Sequence, residues 1–163
     1  MHESSLFSAL EDNSRGPAMT RCPVKLRLTD GRQLDADIYL LPDPMRPGGV
    51  VTVEGIVDGP RDFIPVDVDG SNTLLSCSAI RSIEMSVDGP GTGGQDADAG
   101  GSLDMVNLRL DSGETISGVL TTMAPLESMR MSDVFNRPGR FLTVRDGDKL
   151  VLVSKAHLVQ ASF

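Results

Sequence analysis

The chain has 163 residues, of which 39% are apolar; it contains 17 Gly and 10 Pro, no Trp and one Tyr. That length and composition fit one ordinary domain or two very small ones rich in turns. The net charge of −8 includes no strongly basic segment, which argues against a nucleic-acid partner, because phosphate contacts dominate such binding.

The opening stretch, MHESSLFSALEDNSRG, has no basic start and no continuous apolar core, so it does not read as a secretory signal. No apolar run reaches about 18 residues, so no membrane span is expected. A cytoplasmic location with reduced thiols is the resulting expectation.

Residues 1–20 read as a flexible tail, with residues 5–11 spaced like one short amphipathic helical turn. Val24, Leu26 and Leu28 then alternate with Lys25 and Arg27, as in a half-buried strand. Asp30-Gly31 is a hairpin signal, and Leu34, Ala36, Ile38 and Leu40 alternate through a partner strand. Ile64 to Val68 predicts a third strand, Thr73 to Cys77 a fourth and Ile80 to Val87 a fifth. Residues 87–102, VDGPGTGGQDADAGGS, hold six glycines and three aspartates, cannot bury a core, and read as a flexible linker.

The pattern then starts again. An offset of 82 places Val106, Leu108, Leu110, Gly113, Ile116 and Leu120 on Val24, Leu26, Leu28, Gly31, Leu34 and Ile38. An offset of 78 places Phe141, Val144, Leu152 and Leu158 on Phe63, Val66, Leu74 and Ile80. These matches predict a tandem duplication, with one unit at 21–86 and the other at 103–163. Ser132 to Asn136 reads as a capped helical turn before the strand at Phe141, as Ile56-Val57 precedes Phe63. Lys149 to Ser154, KLVLVS, is apolar on both faces and is expected to be covered on both.

The D-G-R-x-L turn at Asp30, Gly31, Arg32 and Leu34, closed by Ile80, Arg81 and Ile83, resembles the Sm-like small barrel. Gly113, Ile116 and Gly118 carry the likeness in the second copy, and Gly118 is similar to a glycine that Sm-like strands often carry. The resemblance implies a fold that is all-β and mainly antiparallel: two tandem five-stranded small barrels, each with a short helical turn. The family's RNA-reading elements are absent: Ser82 follows Arg81, and the loop after Ile38 is LLPDPMRPGG. Arg130, Ser132, Asp133 and Asn136 also resemble a stretch of small bacterial domains of unknown function, which implies no chemistry.

No catalytic or metal constellation emerges, and no cofactor is expected. Asp67-Val68-Asp69-Gly70-Ser71-Asn72 alternates oxygen ligands but lacks a closing Glu, so it reads as a hairpin. Cys22 and Cys77 are too few for a metal cluster, and His157 reads as a solvated rim residue. The densest basic group is Arg130, Arg137, Arg140 and Arg145; with Asn136 it forms the candidate ligand site, although ion pairing with Asp133, Asp146 and Asp148 competes. The function expected is non-catalytic: binding or scaffolding through a protein partner or a homo-oligomer. Nucleic-acid binding and regulation by an anionic small ligand are the alternatives.

Overall fold

The computed structural model describes residues 20–45, 47–92, 105–121 and 130–163. The expected N-terminal turn at residues 5–11 and most of the expected linker lie outside them. The architecture is all-β and antiparallel. The first half runs β1 (Thr20–Leu28), β2 (Gln33–Leu40), α1 (Val53–Val57), β3 (Phe63–Val68), β4 (Ser71–Ser76) and β5 (Ile80–Ser86). The second runs β6 (Met105–Leu110), β7 (Thr115–Thr121), α2 (Met131–Phe135), β8 (Phe141–Asp146), β9 (Lys149–Ser154) and β10 (Leu158–Ser162).

Among the described residues ten strands form one sheet, in the order β10-β6-β7-β8-β9-β5-β1-β2-β3-β4. Each half therefore contributes its last, first, second, third and fourth strand, in that order. The halves join where β5 pairs with β9, with Ser82 opposite Val153, Ile83 opposite Leu152 and Met85 opposite Leu150.

Turn chemistry fixes the hairpins. Asp69 and Gly70 link β3 to β4 with φ of 52° and 79°, the left-handed pair a two-residue turn needs. The aspartate-rich stretch is thus a hairpin. Short helices α1 and α2 precede β3 and β8. Thr52 Oγ1 caps α1 by accepting from the Gly55 N–H at 3.1 Å. In α2 the Asp133 carboxylate accepts from the Arg130 N–H at 3.1 Å, with Arg130 at the cap.

The buried side chains form two clusters, one per half. Cys22, Val24, Leu26 and Leu28 point inward from β1, and Ala36, Ile38 and Leu40 from β2, with Val53 and Val57 of α1 in the same cluster. Strand β9 serves both clusters. Leu150 and Leu152 join the first, and Val151 and Val153 join the second. This is the physical reason KLVLVS alternates nothing: one core lies on each face.

Several expectations shift. β1 begins at Thr20, so Cys22 lies inside the strand, opposite Ile38. Pro23 is tolerated there because β5 pairs with β1 only from Lys25 onward, leaving its missing N–H without a ladder partner to lose. Cys77 follows β4 in a 3-10 turn instead of ending the strand. The start of the expected linker is packed: the Val53 N–H donates to Gly91 O at 3.0 Å, and a Cβ on Gly91 would lie 2.9 Å from Leu40.

Gly118 on β7 shows how close the strands approach. A Cβ there would sit 2.4 Å from Arg145 O on β8. Gly118→Ala is expected to lower unfolding stability by about 1–3 kcal/mol, since backbone must move to make room. Urea titration measures it, and an unchanged midpoint would refute the close approach.

Candidate functional site

The residues with the most specific polar geometry lie where the two halves meet. Asp58 ends α1. Its Oδ1 accepts from the main-chain N–H groups of Arg140 and Phe141, at 2.8 and 3.0 Å. One carboxylate of the first half thus anchors the start of β8 in the second. The Arg140 guanidinium returns the contact, donating to Arg61 O at 3.1 Å and Asp62 Oδ1 at 3.2 Å.

Glu54, one turn earlier on α1, accepts from Thr143 Oγ1 at 3.0 Å. Burial raises the Glu54 carboxyl above its ordinary value, and the Thr143 hydrogen bond opposes that rise. These side chains line a cleft of about 90 Å³, together with Arg137 and Lys155. The Lys155 ammonium donates to Arg137 O.

A second polar group also bridges the halves. Asp111 receives the Arg81 Nε–H at 2.9 Å and faces His157 Nδ1 at 2.7 Å. His157 Nε2 faces Ser78 O at 3.3 Å. Both partners of the ring nitrogens are oxygens, one from each half of the chain. The His157 and Arg81 hydrogen bonds hold the Asp111 carboxyl below its ordinary value. His157 is therefore a half-buried bridge between the halves, not a solvated rim residue. Lys149 and Glu84 pair across the junction at 3.0 Å, and Arg27 pairs with Glu114.

The five residues singled out in the sequence do not converge. Arg140 is engaged across the junction, and Arg137 lines the small cleft. Arg145 is at the far end of β8, about 17 Å of extended chain from Arg140, and its Nε–H donates to Gly147 O at 3.1 Å. Arg130 caps α2, and Asn136 ends it, its side-chain amide donating to Ser132 O at 2.8 Å. The expected pairing with Asp133, Asp146 and Asp148 gives way, for Arg140, to Asp62 of the other half.

An open groove of about 800 Å³ is lined by six acids and three bases: Asp35, Asp37, Asp67, Asp69, Glu84 and Asp148 against Arg21, Lys25 and Lys149. That balance repels phosphates. Beneath it Cys22 is pushed up to about 11, by burial first and Asp37 second. Among the described residues no group of three or more potential ligands sits where it could hold a metal, and no helix is long and apolar enough to cross a membrane. The chain matches no protein family, no curated protein and no solved structure.

Two measurements test the junction. Asp58→Ala leaves two N–H groups without their acceptor and is expected to cost about 2–3 kcal/mol; Asp58→Asn keeps an acceptor and is expected to cost about half as much. Equal losses in denaturant titration would show that the charge, not the acceptor, matters. Glu54 binds its proton more tightly folded than unfolded. Its contribution to stability is full below its ordinary value of 4.5 and is lost as pH rises through the raised folded value. Glu54→Gln should therefore gain stability relative to the parent as pH rises from 4.5 toward neutrality; a pH-independent difference would contradict this.

Proposed function

We propose that the chain is a tandem duplication of an Sm-like five-stranded unit that works without catalysis, as a binding or scaffold protein acting through contacts with protein chains. One observation carries the reading. The sheet ends at β4 and β10, and at these ends Phe63, Leu74, Val159 and Phe163 are exposed. Open strands with apolar side chains recruit further strands, and proteins that avoid this protect such edges with charge, Pro or a covering element. Strand β4, SNTLLS, and strand β10, LVQAS, contain neither charge nor Pro.

The internal polar groups support the same reading, because they are spent on joining the halves. The acid-rich groove and the scattered arginines offer no continuous track for a nucleic-acid backbone. The working compartment is one that keeps Cys22 and Cys77 as thiols, as the cytoplasm does; both are free and buried.

Immobilised protein should retain a protein at near-stoichiometric amounts from a lysate of cells producing the chain. Leu74→Arg and Phe163→Asp should lose it. Neither an RNA pool nor single-stranded DNA should be held at low salt. Salt-sensitive nucleic-acid retention without any retained protein would reverse the assignment.

A further inference from the structure

The outer face of the first half carries apolar surface and unbalanced charge side by side. Burial alternates along β3: Ile64 and Val66 point into the core, while Phe63, Pro65 and Asp67 point away from it. Phe63 is 55% exposed. On the neighbouring strand Leu74 lies opposite Pro65 and is 70% exposed, whereas Leu75 beside it is buried. One face of β3 thus passes from an apolar patch at Phe63, Pro65 and Leu74 to the carboxylate of Asp67. There it meets the acid-lined groove, which Asp67 and Asp69 both line.

The charges of that groove do not cancel. Arg21 is held by Asp67 at 2.9 Å and Lys149 by Glu84 at 3.0 Å, and Lys25 lies opposite Asp35 on β2. Asp37, which lies opposite Pro23, and the turn residues Asp69 and Asp148 are left without a base of the groove to balance them. Unbalanced charge steers and orients a partner, and exposed apolar side chains beside it supply area to bury.

We infer that this face binds a basic, partly apolar segment of another protein, with Lys or Arg over Asp37, Asp69 and Asp148 and apolar side chains on Phe63, Pro65 and Leu74. The inference rests on the protein-binding reading above but uses a face of the sheet, not its open edges. Phe63 to Asp69 spans about 20 Å of extended chain, so a segment of about six or seven extended residues reaches from one end to the other.

Charge selects this occupant over the others. A nucleic-acid backbone is repelled. A second copy of this chain, at net −8, brings the wrong sign, and so do residues 1–19, where Glu3, Glu11 and Asp12 outnumber Arg15. A lone metal ion finds no group of three ligands among the described residues.

Titration calorimetry at low salt tests the face, with a synthetic peptide of alternating Lys and Val as the probe. The peptide is expected to bind; its counterparts with Glu in place of Lys, or Ser in place of Val, are expected to bind at least about tenfold more weakly. Asp37→Asn, Asp69→Asn and Asp148→Asn combined should weaken binding by about tenfold, since each solvated charge pair contributes up to about fivefold. Asn suits the positive φ of residue 69, so the turn is kept. Added salt should weaken binding to the parent and change that of the triple variant little. Phe63→Ser should weaken binding at every salt concentration. A triple variant that binds as the parent does, or a Glu or Ser peptide that binds equally well, would overturn the inference. Displacement of the peptide by an equal concentration of spermine would also overturn it, in favour of a small polycation. The triple variant leaves β4 and β10 unchanged, which separates this reading from the edge. If no peptide binds while Phe163→Asp still abolishes lysate capture, the inference fails and the edge-binding reading stands; if capture is also unaffected, both fail.

Discussion

Everything else in the molecule depends on β9 having no outside face. A strand in a small sheet normally gives one face to a core and the other to water. From Leu150 to Ser154 every residue of β9 is buried. Leu150 and Leu152 fill the core of the first half, and Val151 and Val153 fill that of the second. Neither half can be peeled from the other without exposing large apolar side chains, each worth about 1.5–3 kcal/mol when fully buried. Five strands in about 60 residues make a marginal core alone. By lending Phe141, Leu150 and Leu152 to the first core, the second half makes a larger cooperative unit of both.

The polar contacts around this joint do a different job. Exposed ion pairs such as Lys149–Glu84 contribute little, typically under about 1 kcal/mol. Asp58 differs because its partners are main-chain N–H groups at the entry to β8. A backbone donor without a partner is costly where water is excluded. Asp58 therefore fixes where β8 starts, and so fixes the phase of β8 and β9 against the first half. Shifting a strand by one residue would exchange its two faces. For most strands that would put polar residues in a core. For β9 it would exchange leucines for valines, a milder penalty, which makes an independent anchor such as Asp58 more necessary.

The alternation of Val24, Leu26 and Leu28 and the Asp-Gly turns made the strands legible, and the doubly apolar KLVLVS announced a strand covered on both faces. Periodicity reports which face is apolar, not what covers it. The joining of β5 to β9 in one continuous sheet therefore had no local signature. The same limit hid the polar site. Asp58 meets Arg140 and Phe141 at separations of 82 and 83 residues, and Glu54 meets Thr143 at 89. Beside Gly59-Pro60, Asp58 reads along the chain as turn chemistry, and His157 as a rim residue, because their partners are supplied only by the joint. The arginines from 130 to 145 present the opposite case. They are dense along the chain, but an extended strand separates Arg140 from Arg145, and α2 lies between Arg130 and Arg137.

The differences between the halves make sense once the joint is treated as something a single chain makes once. Glu84 and Lys149, Arg81 and Asp111 clasp the internal joint; at the matching offsets their places are held by Ser162, Ser71, Val159 and Thr29. An intramolecular joint benefits from a high effective concentration, so it tolerates solvated, salt-sensitive contacts whose main effect is orientation.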